Sequence, residues 1–120
     1  MPFQPARMLR VNLTTGRAER FEVSAQDQRA YLGGASLGAR LLYPEMHREV
    51  DPRSPEAPLL LLTGPLTGTA GPAVGRAAFC GRSPATGLWA ESNIGGFLGP
   101  ELRAAGLDGL WITGQASEPV

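Results

Sequence analysis

Apolar and polar residues alternate through Met8-Leu9-Arg10-Val11-Asn12-Leu13 and again through Ala18-Glu19-Arg20-Phe21-Glu22-Val23. A period of two marks a strand with one buried face. Thr14-Thr15-Gly16-Arg17 between them supplies a turn in which Gly can take positive φ. The first 23 residues therefore predict a β-hairpin. Ser24, with Asp27 three positions on, makes a capping-box-like start for a helix to about Leu32, stopped by Gly33-Gly34. Ser36 is a candidate cap for a second helix through Leu37, Leu41 and Leu42, which Pro44 is expected to end or kink. Residues 51–58, with prolines at 52, 55 and 58, read as a loop. Leu59-Leu60-Leu61-Leu62 does not alternate, as suits a short strand buried on both faces. Ala77-Ala78-Phe79-Cys80 and Leu88-Trp89-Ala90-Glu91 are predicted strands around a turn at 82–87. Residues 95–105 predict a helix with Phe97, Leu98, Leu102 and Ala105 near one face and Gly106 as its stop. Asp108-Gly109 then turns into a last strand at 110–113, and residues 115–120 read as a connector. A hairpin, two short helices, several mixed strands, a further helix and a final strand make an α+β fold.

The segment that fits neither period is Thr63-Gly64-Pro65-Leu66-Thr67-Gly68-Thr69-Ala70-Gly71-Pro72-Ala73-Val74-Gly75-Arg76. Glycine permits close approach of backbone to a ligand, and proline stiffens its neighbours. The stretch ends on a cation, Arg76. Ser92-Asn93-Ile94-Gly95-Gly96 is a second small-residue turn, read as opening the helix at 95–105. Two readings stand side by side. The glycines and prolines are turns and nothing more, with Asn93 a helix N-cap. Alternatively, the backbone amides and the Arg76 guanidinium cradle a phosphate-bearing cofactor, with Asn93 offering its carbonyl or side chain to a ligand or hard cation. Neither GxGxxG nor GxxxxGK[ST] occurs, so no nucleotide fingerprint supports the second reading.

Length and charge narrow the field. The 120 residues make room for one small domain. Eleven basic against eleven acidic residues give no electrostatic case for nucleic acid or an acidic membrane surface. No apolar run approaches the ~20 residues of a membrane helix, and the first residues lack a signal-like apolar core. The default setting is therefore cytoplasmic and reduced. Cys80 is the single cysteine, so no intrachain disulfide forms and no iron–sulfur cluster is anchored by this chain alone. It reads as core. Gly33-Gly34-Ala35-Ser36-Leu37-Gly38 reads as a helix stop and restart, His47 as a surface residue, and Trp89 and Trp111 as packing. Asp51, Glu56, Glu91 and Glu101 form no recognisable acid/base pair, and no catalytic constellation is complete.

With those residues in place, the chain resembles the N-terminal part of the aldehyde ferredoxin oxidoreductase family, the tungsten-containing (tungstopterin) enzymes. The likeness runs from about Leu9 to the end. It begins with Leu9-Arg10-Val11-Asn12-Leu13-Thr14-Thr15-Gly16, Tyr31-Leu32-Gly33-Gly34 and Leu37-Gly38-Ala39-Arg40-Leu41-Leu42. Its most specific stretches are Thr63-Gly64-Pro65-Leu66-Thr67-Gly68-Thr69 with Gly75-Arg76, Ser83-Pro84 with Thr86-Gly87, and Ser92-Asn93 with Gly95-Gly96. Glu101-Leu102, Ala105-Gly106 and Asp108 complete the series.

The resemblance implies an oxidoreductase that converts aldehydes to carboxylic acids and passes the electrons to ferredoxin. It implies a tungsten or molybdenum bis-pterin (molybdopterin-type) cofactor, a magnesium ion bridging the pterin phosphates, and a [4Fe–4S] cluster for electron transfer. On that likeness Arg76 lies between pterin and cluster, the Asn93 main-chain carbonyl helps hold the magnesium, and Gly95, with Gly75, contacts the pterin. Residues 8–120 would be the pterin-binding domain, part of a two-sheet base and apparently incomplete, after a tail at 1–7. The cluster ligands would lie in remaining domains or subunits. Two departures stand out: Ala35-Ser36 occupy the place of a usual Arg-Gly pair, and Ile94 replaces a small polar residue. The chain is thus expected to be the cofactor-binding portion of such an enzyme, inactive alone. The alternative is a catalytically silent binding or assembly module derived from the family.

Overall fold

The structure is a computed structural model that describes residues 4–46 and 49–120. The expected surface residue His47 lies outside the described residues. Strand β1 (Ala6–Asn12) and strand β2 (Arg17–Val23) form the predicted antiparallel hairpin, with Met8 opposite Phe21 and Ala6 opposite Val23. Gly16 takes φ +68 in the turn, and Asn12 Oδ1 accepts from the Thr14 and Thr15 amides there.

Helix α1 (Ala25–Tyr31) starts as expected. Ser24 Oγ accepts from Asp27 N at 3.0 Å. Its end differs from the expectation. The stop is not glycine but Leu32, at φ 64 and ψ −60, bridged by a Gly33 N–H to Tyr31 C=O bond of 2.8 Å. That is a γ-turn of the rarer, strained hand. The sharp reversal lets helix α2 (Gly34–Met46) begin two residues earlier than Ser36, which lies inside the helix rather than capping it. Arg40 Nε donates to Asp27 Oδ1 at 3.0 Å and ties the two helices. That hydrogen bond holds the Asp27 carboxyl below its usual value. Pro44 does not end α2. The helix continues to Met46, because a proline so near the terminus removes one of the last hydrogen bonds and leaves little helix to disrupt.

Strands β3 (Leu59–Thr63), β4 (Ala77–Arg82), β5 (Trp89–Ile94) and β6 (Gly109–Thr113) complete one six-stranded sheet, ordered β2-β1-β6-β3-β4-β5. Only β1 and β6 run parallel. From Leu60 on, the Leu run is buried on both faces, as its lack of alternation requires, while Leu59 at its start is 43% exposed. Leu60, Leu61 and Leu62 are all at most 4% exposed. Leu60 and Leu62 share a face with Cys80 and Ala78 and pack with Leu37 and Leu42 of α2. Here α2 and the sheet come close because Gly38 has no side chain. A Cβ there would sit 2.7 Å from Cys80 Sγ and 3.0 Å from Leu62 Cδ1.

Helix α3 (Leu98–Ala104) is shorter than the 95–105 expected, and Gly106 at φ +81 follows it as the predicted stop. Asp108, 8% exposed, then fastens several elements together. Its carboxylate accepts from Arg7 N at 2.8 Å, from Arg7 Nε at 3.2 Å, and from Arg103 Nη1. Its carbonyl accepts from Thr63 N and Thr63 Oγ1, and its amide donates to Arg7 O.

Two outcomes are expected from this packing. Gly109→Ala places a Cβ 2.7 Å from Leu61 O, 2.7 Å from Leu62 Cδ2 and 2.8 Å from Met8 Sδ. It should cost about 2 kcal/mol in a urea denaturation series; an unchanged midpoint would contradict the strand packing. Burial, with the nearby Glu91 charge adding less, pushes the Cys80 thiol from 9.0 up to about 11. The unfolded thiol ionises first, so Cys80 contributes to a loss of stability as pH rises from 9.0 towards about 11. Comparing the urea midpoints of the parent and Cys80→Ala across that range reads this contribution. The thiol should also resist aromatic disulfide reagents at pH 8 until the fold opens.

Candidate functional site

The two glycine-bearing bends meet at one end of the sheet. Strands β4 and β5 pair with Ala77 opposite Ile94, so the residues just outside them, Arg76 and Gly95, flank the open end of the ladder. Contact across the bends is direct. A Cβ at Gly75 would lie 2.8 Å from Gly96 O. One at Gly99 would lie 2.9 Å from both Gly75 O and Thr67 Cγ2. No residue but glycine lets these backbones approach so closely.

The stretch at 63–76 is ordered by its own hydrogen bonds. Thr67, 4% exposed, is its hub. Its Oγ1 accepts from Gly64 N at 3.0 Å and donates to Arg76 O at 2.9 Å. The Thr67 amide reaches Gly64 O, and Gly68 N reaches Val74 O at 3.2 Å, closing a small ring. Thr69 N and Oγ1 both donate to Leu66 O. Gly68 takes φ +76 and Ala73 φ +58. The loop rests on α3, where a Cβ at Gly68 would be 3.4 Å from Arg103 Cβ and 3.5 Å from Pro100 Cα. It also abuts the α1–α2 joint, where a Cβ at Gly33 would be 2.8 Å from Thr63 O.

Arg76 and Gly95 adjoin this junction, and Asn93 lies two residues before Gly95. All three are exposed, and Gly75 is half-buried. Among the described residues Arg76 has no ion pair or side-chain hydrogen bond. A Cβ at Gly95 or Gly96 would meet nothing within 4 Å, so the backbone there faces open space. The arrangement is a shelf on the surface with a free guanidinium beside it. A planar fork with unused donors beside accessible backbone suits a phosphate or a flat heterocycle.

Asn93 requires a correction. It is neither a helix N-cap nor part of a turn. It lies in β5 opposite Ala78, and α3 starts five residues later with Phe97 as its N-cap and no side-chain cap bond. The ladder to β4 holds residues 92–94 extended, so the bend is confined to Gly95-Gly96. The seven-residue α3 begins beyond that bend, and the helix-start argument for an anion therefore falls away.

The remaining candidates went where the sequence pattern put them. Cys80 is 1% exposed. Trp89 and Trp111 pack on the core, and Trp111 and Phe21 also stack against the Arg10 guanidinium at 5.4 and 4.9 Å. No group of three or more His, Cys, Asp or Glu able to hold a metal occurs among the described residues. No described helix is long and apolar enough to cross a membrane. Two residues that order the site were not singled out from sequence. Thr67 stood only as a member of the Gly-rich run and Asp108 as a turn residue, and their presence in the motif series that carries the family likeness was the signal available.

Thr67→Val keeps the shape but strands the Gly64 amide and the Arg76 carbonyl. It should cost about 2 kcal/mol, with amide exchange at Gly64 and Gly68 accelerating more than exchange in β1. Equal acceleration in both places would remove Thr67 as the hub.

A family model described as "Aldehyde ferredoxin oxidoreductase, N-terminal domain" matches residues 8–120. The chain is 43% identical over 114 residues to a tungsten-containing aldehyde ferredoxin oxidoreductase of Pyrococcus abyssi, covering 95% of the chain and 19% of that protein. It is 37% identical over 117 residues to the WOR-like subunit of an aliphatic sulfonate oxidoreductase of Pyrococcus furiosus, covering 95% of the chain and 18% of that subunit. Among solved structures, the active-site complex BamBC of benzoyl-coenzyme A reductase, in complex with 1,5-dienoyl-CoA, superposes with a TM-score of 0.89 at 38% identity. That match covers 94% of this chain and 17% of the other. The chain thus spans about a fifth of the length of the relatives it matches.

Proposed function

The chain belongs to the aldehyde ferredoxin oxidoreductase N-terminal domain family, and from that premise we propose that residues 8–120 form the base on which a tungsten or molybdenum bis-pterin is held. The supporting observation is the shelf itself: an Arg76 without a side-chain partner among the described residues, beside the Gly75–Gly96 junction and the open backbone at Gly95. Arg76 would hold a pterin edge or phosphate through its fork. Gly75 and Gly95 would let the ring system lie against backbone. The Asn93 carbonyl, on the edge strand β5, would face a magnesium ion between phosphates, since hard cations take oxygen ligands.

When bound, the cofactor supplies the redox chemistry of aldehyde oxidation. The chain binds and orients it. With one cysteine, buried in the core, it has no ligand set for a [4Fe–4S] cluster. The cluster and the passage of electrons to ferredoxin belong to other domains or subunits of a complete enzyme. The relatives share this segment although their names point to aldehydes, an aliphatic sulfonate and a coenzyme A thioester. The segment accordingly serves the cofactor, and substrate choice is made elsewhere.

The test is elemental analysis for tungsten and molybdenum, with pterin fluorescence, on the purified native protein and any co-purifying chains. Arg76→Ala should weaken cofactor retention about tenfold, lowering metal and pterin content together. Arg53→Ala, in the exposed 51–58 loop, should change neither. Full metal, pterin and activity in the Arg76→Ala enzyme would remove the shelf from cofactor binding.

A further inference from the structure

A second polar site lies at the same end of the sheet, on the other side of the glycine-rich loop. A cavity of about 190 Å³ opens there, lined by Arg7, Gln28, Pro65, Arg103 and Asp108 among others. It joins β1, α1, the start of the loop and α3. That is ample room for a small polyatomic ion.

The charges in its wall do not balance. Two guanidiniums share one carboxylate. Arg7 uses its Nε and Arg103 its Nη1 on Asp108, leaving most donors of each fork without partners among the described residues. Asp108 is nearly enclosed, with its side chain 10% exposed, while the Arg7 side chain is 48% exposed and that of Arg103 29% exposed. The unused donors are therefore accessible, while the one carboxylate is already shared between both arginines. The third polar group is Gln28. Its Oε1 is shielded from solvent and has no hydrogen-bond partner among the described residues, a situation native proteins rarely leave standing. A half-turn of the amide exchanges Oε1 for Nε2, so that Gln28, which lines the cavity, offers a donor where the orphan acceptor stood.

We propose that this cavity binds a small oxyanion, whose oxygens accept from Arg7, Arg103 and the turned amide of Gln28. The excess of one positive charge selects a monoanionic group, and two planar forks favour one with at least two acceptor oxygens. A carboxylate and the monoanionic form of inorganic phosphate share that chemistry. The site is separate from the Arg76 shelf, with the hydrogen-bonded 63–76 loop between them.

The experiment uses the ¹⁵N-labelled chain at low ionic strength and fixed pH, titrated in one arm with acetate and in the other with inorganic phosphate. Saturable shifts are expected at the Arg7 and Arg103 Nε–H groups and at the Gln28 side-chain amide. The arm with the lower midpoint identifies the oxyanion. Arg103→Gln should weaken binding about tenfold. Gln28→Met, which leaves both ion pairs in place, should weaken it about threefold and decides the matter if Arg103→Gln fails to fold. Shifts that never saturate in either arm would overturn the proposal. So would saturable binding that Gln28→Met leaves unaltered, or shifts confined to Arg76 and Asn93.

Discussion

One buried carboxylate holds the working end of this molecule together. Asp108 receives a backbone amide and a guanidinium from Arg7 and a second guanidinium from Arg103, while its own backbone pairs with Thr63 and Arg7. It thereby joins β1, β3, β6 and α3 at the end of the sheet from which the glycine-rich loop departs. A charge taken out of water is tolerable only when it is paired and hydrogen-bonded, and here three donors from two elements do this. The loop's departure point, the seat of α3 and the start of β6 thus follow from a single requirement for satisfaction.

On that foundation the site is built by omission of side chains. Gly75 against Gly96, and Gly99 against Gly75 and Thr67, allow two backbones to lie at distances no Cβ permits. Thr67 then fixes the carbonyl of Arg76 and the amide of Gly64 with one hydroxyl. The resulting shelf is rigid without being enclosed, and the Arg76 guanidinium beside it has no ion pair or side-chain hydrogen bond among the described residues. A base of this kind suits a large cofactor that other parts of an enzyme cover. Relatives named for quite different substrates match this same segment.

The periodic stretches were legible because they obey one rule each. Alternation placed β1 and β2, the unbroken leucines placed β3, and Ser24 with Asp27 placed the start of α1. The misreadings fall where neighbours outvote local preference. Asn93, a good N-cap by itself, is drawn into β5 by the ladder to β4. Ser36 is bypassed because Leu32 accepts a strained turn. Pro44 sits inside α2, close enough to its end for the lost bond to matter little.

The sequence by itself determined the α+β class, the hairpin, the doubly buried strand, the placement of Cys80 in the core and, through an ordered series of short motifs, the family. Those features depend on residue type and spacing, which are local or additive along the chain. The tertiary structure alone decided the strand order, the meeting of two bends separated by the β4–β5 hairpin, and the roles of Thr67 and Asp108. Those depend on which distant backbone groups are left needing a partner once the sheet has formed, and no local pattern records that.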